Sequence, residues 1–235
     1  MQQVRITFPS GSGLRVQSRS GKVHIIAEAR DDILAETDDV EYFGTDGGDV
    51  LTVRSSRGGS KPITVRCPVD TDVDIGSQSG SVRLEGKFGS VRATTISGNI
   101  EVDGAADADL RSMSGKLTLG ECHGRCRMNA VSGSVSGGEL ESAVASSVSG
   151  SIKLARVNGD LRARTVSGSV DVAACGDAPI AVKTVSGRVR IEVPEGTAPD
   201  AHFKTRGRVL CDLARGHDCR IDAVSLSGSI EVVGT

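Results

Sequence analysis

The segment Thr165-Val166-Ser167-Gly168-Ser169-Val170-Asp171-Val172 decides the fold, because close copies of it recur along the chain. Aligned on the glycine of each Ser-Gly pair, the first seven copies follow at steps of 17 to 19 residues, and an eighth follows after 41 residues. A period this short and regular is typical of a solenoid, in which each repeat forms one coil stacked on its neighbours. The corner pairs are Ser79 and Gly80, Ser97 and Gly98, Ser114 and Gly115, Ser132 and Gly133, Ser149 and Gly150, Ser167 and Gly168, Ser186 and Gly187, and Ser227 and Gly228.

Apolar residues alternate with polar ones on both sides of each corner. Val170 and Val172 lie two and four residues after Gly168, and Leu161 and Ala163 lie seven and five before it, with equivalents in the other copies. Alternation rich in β-branched residues predicts strands with one buried face. We therefore expect an all-β, single-domain β-solenoid, similar to a parallel β-helix, with two main strands in each coil of 17 to 19 residues. A left-handed helix of six-residue repeats is rejected, because the inward positions are not spaced every six residues.

The corner residues have structural roles in this interpretation. Glycine is expected where the backbone needs a positive φ or approaches the neighbouring coil closely. The serine hydroxyl is expected to bond along the stack or back to the corner backbone, rather than to act as a nucleophile.

The first part of the chain does not follow the strict period. Residues 1–70 contain short alternating runs separated by Gly, Ser and Asp, a pattern that also favours strands. We therefore divide the chain into an irregular N-terminal β part or cap, residues 1–70, and regular solenoid repeats, residues 71–235.

Composition narrows the classes of function. The formal net charge is −2, and aromatic residues make up 2% of the chain. Nucleic acid is therefore not an expected partner. No stretch is long and apolar enough to span a membrane, and the start has no basic segment followed by an apolar run, so a cytoplasmic location is expected. Association with the cell envelope stays open if an export signal was removed.

The segment Thr64-Val65-Arg66-Cys67-Pro68-Val69-Asp70-Thr71-Asp72-Val73-Asp74-Ile75 is followed by tandem copies of T-[VI]-S-G-x-[VI]-x-[VI]. This arrangement resembles a bacterial family of β-strand-repeat proteins named putative adhesins, a domain of unknown function. The resemblance covers nearly the whole chain. It implies a β-solenoid that is often attached to the cell envelope, and it brings no catalytic residues.

Six cysteines are too scattered for a disulfide scaffold, so reduced thiols are expected. The candidate metal ligands are Cys122, His123 and Cys126, followed by Cys211, His217 and Cys219. Neither group contains the Cys-x-x-Cys pairs typical of a zinc site, so no metal or cofactor is predicted. Buried positions are expected for Cys126 and Cys211, and exposed thiols remain plausible at Cys122, Cys175 and Cys219.

Carboxylates that could support catalysis are few. Solenoid enzymes that cleave polysaccharides cluster carboxylates across adjacent coils. The acidic pairs found here, Glu85 with Asp103 and Glu121 with Glu139, fall in predicted loops. Along the predicted walls, charges alternate in sign, as in Arg83 and Glu101, and would pair with one another. No catalytic residue is therefore predicted.

Three functions remain. The first is a non-enzymatic interaction protein that presents a repetitive β surface to a protein or envelope partner, with Tyr42 and Phe43 as the possible contact. The second is a cytoplasmic scaffold that self-associates end to end, as bactofilins do. The third, with the least support, is a polysaccharide-active enzyme. The last repeat, Ser225 to Val233, is predicted to leave an open strand edge that supports weak homo-oligomerisation.

Overall fold

A computed structural model describes residues 2–7, 13–37, 40–46, 50–55, 61–174 and 177–235, without the side chains of 2–7, 37, 40–46 and 55. These residues form 21 strands and no helix. The chain divides into two compact units, Met1–Leu119 (unit 1) and Gly120–Thr235 (unit 2). The strands are β1 (Gln2–Thr7), β2 (Gly13–Ser18), β3 (Val23–Glu28), β4 (Asp32–Thr37), β5 (Val40–Asp46), β6 (Val50–Ser55), β7 (Ile63–Pro68), β8 (Val73–Ser77), β9 (Val82–Thr95), β10 (Ile100–Ser114), β11 (Leu117–Ser132), β12 (Val135–Ser149), β13 (Ile152–Val157), β14 (Leu161–Ser167), β15 (Val170–Ala174), β16 (Ile180–Ser186), β17 (Val189–Val193), β18 (Asp200–Lys204), β19 (Val209–Cys211), β20 (Arg220–Ser227) and β21 (Ile230–Gly234).

Equivalent repeat positions lie side by side on neighbouring parallel strands. In unit 1, Ile100 pairs with Val82 and Leu110 pairs with Ala93. In unit 2, β14 pairs with both β12 and β16, and β15 pairs with both β13 and β17. We call the one or two strands of each coil a rung, because β9 to β12 are each single continuous strands of 14 to 16 residues. Stacked parallel rungs with this repeat confirm the predicted β-solenoid fold.

The predicted inward positions form the core. The residues two and four after each corner glycine, and seven and five before it, are buried in all eight copies. These side chains are mostly Val, Ile, Leu and Ala, which pack on the pleated inner surface of the strands. The stability of the fold therefore comes mainly from burial of these four positions in each coil.

The first rung in the sequence is not the outermost rung of unit 1. Strand β2 pairs on one side with β6 and on the other with β8, and β3 likewise lies between β7 and β9. The segment predicted as an irregular cap, residues 1–70, thus contains two rungs in parallel register with the repeats. Antiparallel strands complete this end, because β4 pairs with β7, β1 pairs with β4 and β5 pairs with β6.

The last rung in the sequence is also not the outermost rung of unit 2. Strand β20 pairs with β16 and with β18, and β21 pairs with β17 and with β19. The predicted open edge at Ser225 to Val233 is therefore wrong, because this rung has a neighbour on both sides. The outer rung consists of β18 and β19. The next two strands in the sequence, β20 and β21, lie between this outer rung and the rung of β16 and β17.

Candidate functional site

The corner glycines of unit 2 form a tightly stacked column. Gly168 has a φ of 152° and Gly228 a φ of 157°. A side chain at Gly168 would collide with the carbonyl oxygen of Gly150 and lie 2.7 Å from its carbonyl carbon. Gly187 and Gly228 meet the preceding glycine of the stack in the same way. These three corners require glycine both for their backbone conformation and for the close approach.

The hydroxyl that bonds the corner backbone is not that of the corner serine. The side chains of the eight corner serines are exposed, and none of them has a hydrogen bond within the described residues. In four of the eight copies a buried Ser or Thr three before the glycine makes this bond instead. Ser77 donates to the carbonyl of Gly80 at 3.0 Å, and Ser147 donates to the carbonyl of Gly133 at 3.1 Å. The serine hydroxyls therefore belong to the outer surface.

The cysteines differ from the prediction. Cys122 and Cys126 are joined by a disulfide, so neither can serve as a thiolate metal ligand. Cys122 and Cys219 are buried rather than exposed, and Cys126 is buried as expected. Cys211 is partly exposed, and Cys175 lies outside the described residues. The predicted free thiols at Cys122 and Cys126 are therefore wrong, because two cysteines four positions apart can form a disulfide without a wider disulfide scaffold. Among the described residues no cluster of His, Cys, Asp or Glu could hold a metal ion.

Two of the four carboxylates considered for catalysis, Glu85 and Glu139, take part in ion pairs. Glu85 pairs with Arg83 at 2.6 Å and lies 3.2 Å from the Nε2 of His24. The hydrogen bond from Arg83 lowers the pKa of Glu85, which opposes a role as a general acid. Asp103 accepts a hydrogen bond from the backbone of Gly86.

An exposed column of aliphatic side chains runs along unit 2. Each member lies two residues before a corner glycine and is 45 to 53% exposed, and we call the set the aliphatic column. Side chains at this repeat position stack one per rung, about 4.8 Å apart. The column consists of Val131, Val148, Val166, Val185 and Leu226.

Cations lie on the same outer face, four and six residues before the corner glycines. Arg164 is directly beside Lys183 in the strand register, and Arg162 lies between Val144 and Ala181. Within the described residues, Arg127, Arg162, Arg164 and Lys183 have no ion pair, and we call these four the cationic cluster. The acid at these positions in unit 2, Asp222, is paired with Arg220 at 3.0 Å. The face formed by the cationic cluster and the aliphatic column is therefore positive and apolar.

The sequence contains a signal for this face. The residue two before the glycine is apolar in every copy but the first, and alternation places it on the same side as the positions four and six before the glycine, which are mostly polar. The predicted contact, Tyr42 and Phe43, lies in β5, and its side chains are outside the described residues. The aliphatic column is thus an exposed apolar patch that the prediction missed.

A shallow depression of about 420 Å³ lies on another wall of unit 2. It is lined by Gly137 and mainly by outward-facing residues of the neighbouring strands. Its rim carries Lys153, Asp171 and Arg190, which are neighbours in the strand register. Opposite charges line this depression, so it has no strong preference for a charged ligand.

The comparisons with known proteins agree with this architecture. A β-solenoid with stacked Ser-Gly corners defines the class of protein, and the family described as Toastrack DUF4097 matches residues 32–206. The chain belongs to this family. The predicted resemblance to a bacterial family of β-strand-repeat proteins is confirmed. None of the curated proteins searched matches the chain.

Two solved structures are similar to the chain. One is a putative adhesin from Bacteroides fragilis, with 14% identity, a TM-score of 0.46, and coverage of 99% of this chain and 96% of that one. The other is a putative cell adhesion protein from Clostridium sporogenes, with 8% identity, a TM-score of 0.25, and coverage of 100% and 99%. In the described part of this chain, no helix could cross a membrane.

Proposed function

We propose that this protein is a non-enzymatic interaction protein that binds an acidic protein or envelope partner through the face formed by the cationic cluster and the aliphatic column of unit 2. The observation that carries the proposal is the placement of Arg164 beside Lys183, neither of which forms an ion pair within the described residues, next to a row of exposed aliphatic side chains. We propose no catalytic residue.

The first support for the proposal is the pair of adjacent positive charges, Arg164 and Lys183. Like charges on adjacent strands destabilise a sheet, so folding alone does not favour Arg164 beside Lys183. Residues that work against the stability of the fold are expected at functional sites. An acidic partner would supply the missing counter-charges and would be attracted to the cationic cluster before contact.

The aliphatic column supplies the second part of the binding energy. Full burial of a valine side chain contributes about 1.5–3 kcal/mol, and these side chains are already half-buried. Five of them in one row would give an apolar contact strip, and exposed apolar patches of this kind mark interaction sites. A flat strip with flanking cations suits a flat acidic surface.

Site-specific photo-crosslinking tests the proposal. A photoreactive residue is placed at Val148 or Val166, and control proteins carry it at Ile96 in unit 1 or at Lys153 on another wall of unit 2. In cells of the source species, we expect adducts from Val148 and Val166 and not from the control positions. Protease treatment of the adducts separates a protein partner from an envelope polymer.

A charge variant completes this test. The double substitution Arg162→Glu with Arg164→Glu should remove the adduct at Val166, whereas Arg92→Glu in unit 1 should not. Adducts of equal strength at the control positions, or adducts that survive the double substitution, would contradict the proposal.

A further inference from the structure

The outer rung of unit 2, formed by β18 and β19, leaves a strand edge and part of the core uncovered. Strand β18 pairs with β20 and β19 pairs with β21, and neither has a partner on its other side within the described residues. Unpaired backbone N–H and C=O groups along a strand edge can pair with a strand of another chain.

The core is open at the same place. Ala201 and Phe203 occupy the inward positions that Ile221 and Ala223 occupy in the neighbouring rung of the stack. Ile221 and Ala223 are fully buried, whereas Ala201 and Phe203 are only partly buried. In β19, Val209 occupies the inward position of Ile230 and is 40% exposed. The outer rung therefore exposes side chains at positions that are buried in the other rungs of unit 2.

The loop that follows β19 does not fill the space. Gly216 and Asp218 donate backbone hydrogen bonds to Pro199 and Ala198, just before β18. A depression of about 580 Å³ remains between this loop and Phe203. A partner strand would thus have access to the edge of β18.

The charges of β18 point to a second copy of the same chain as that partner. We propose that two copies associate end to end through antiparallel pairing of β18 with its equivalent, centred on His202. In this register Asp200 of each copy faces Lys204 of the other, and Ala201 faces Phe203. Asp200 and Lys204 lie on the outer side of the sheet, and Ala201 and Phe203 lie on the inner side. In this register, outer residues therefore face outer residues and inner residues face inner ones. Opposite charges directly across an antiparallel pair are stabilising.

The other registers of β18 that keep inner residues facing inner residues are centred on Asp200, Ala201, Phe203 or Lys204, and none of them pairs Asp200 with Lys204. The interface is isologous, because the same patch is used by both copies, and it therefore closes as a dimer instead of growing into a filament. In unit 1 the corresponding outer rung, β6 and β7, is paired with β5 and β4, so within the described residues it offers no open parallel rung for head-to-tail growth. This inference does not depend on the proposed interaction face.

Sedimentation velocity over micromolar to near-millimolar concentrations tests the dimer. We expect the wild-type protein to convert from monomer to dimer as concentration rises, with no larger species. Lys204→Asp replaces both facing ion pairs with repulsive pairs, so the dissociation constant should rise by at least about tenfold. Asp200→Lys should have the same effect. The double variant Asp200→Lys with Lys204→Asp exchanges the two charges and should restore dimerisation.

The control Lys153→Asp makes the same change in net charge on another wall and should leave the dissociation constant unchanged. Circular dichroism melting of each variant identifies any that fail to fold, and the double variant tests the register even if one single variant does. A strictly monomeric wild type, species larger than a dimer, or a double variant that dimerises no better than the single ones would overturn the proposal.

Discussion

The outer faces of the two units are built from the same repeat positions but balance their charges differently. In unit 1, Arg15 pairs with Asp74 at 3.1 Å across neighbouring strands, and Arg111 pairs with Asp109 at 2.9 Å. In unit 2, the equivalent positions hold the cationic cluster without facing acids. The inward positions determine the fold in both units, so the outward positions are free to differ. This difference distinguishes a solvated wall from a candidate binding face.

The ends of the units differ in a similar way. In unit 1, Leu51 and Val65 of the outer rung are fully buried because antiparallel strands cover them. In unit 2, the outer rung leaves Val209 and Phe203 partly exposed. A solenoid needs capped ends to prevent association of its terminal strands. The uncovered end therefore indicates where a second chain can bind.

The largest expected effect concerns the glycine stack of unit 2. Gly168→Val forces a β-branched residue into a positive φ and against the carbonyl of Gly150, so we expect a loss of at least ~3 kcal/mol in the free energy of unfolding. Gly76→Val in unit 1 is the matched control, because a side chain there meets no atom within 4 Å. It should change stability by less than about 0.5 kcal/mol. Urea denaturation measures both, and equal losses would show that the corner stack has no special role.

The disulfide of unit 2 gives the next effect. Closing the short loop between Cys122 and Cys126, which are four positions apart, should stabilise the protein by about 2 kcal/mol, and a reductant should remove this stabilisation. Thiol titration of the denatured protein should find two fewer reactive groups before reduction than after it. Equal counts would contradict the disulfide.

Cys67 in unit 1 is the internal control. Burial raises its pKa to about 11, so it should stay unmodified by alkylating reagents at neutral pH until unit 1 unfolds.

The two ends can be compared with one substitution in each. Val53→Ala removes two methyl groups from a fully buried position in the covered outer rung of unit 1, so we expect a loss of about 1.5 kcal/mol. Val209→Ala in the open rung should cost less than about 0.5 kcal/mol in the monomer. Denaturation of each variant at low protein concentration gives the two values. A large loss from Val209→Ala would mean that this end is covered in solution.

Much of the fold could be predicted from the sequence, because the repeat is local and its buried positions alternate strictly. The order of the rungs could not, since β2 and β20 insert between rungs that are adjacent in the sequence. Nothing in the residues of Ser225 to Val233 distinguishes an inner rung from an outer one. That information lies in β18 and β19, whose copy of the repeat is degenerate at Gly207.

The candidate face was only partly predictable, for a related reason. Charge pairing between rungs was predicted for the whole chain and is present between Arg83 and Glu101 at 3.3 Å. Six residues before the corner glycine, charges alternate in unit 1 through Asp74, Arg92 and Asp109, but the same position in unit 2 does not alternate. A column must be followed through every repeat, because each outward position varies independently of the fold.

The smallest expected effect tests the charge difference between the units directly. Arg15→Gln breaks the pair with Asp74, whose side chains are both partly exposed, so stability should fall by a few tenths of a kcal/mol. Arg164→Gln removes a cation that lies beside Lys183, so stability should stay unchanged or rise by a similar amount. Both differences should shrink at high salt, because salt screens attraction and repulsion alike. Urea denaturation at low and high ionic strength measures these values. If both variants lost stability equally at low salt, Arg164 would have an attractive partner, and the basis for choosing unit 2 as the binding face would be removed.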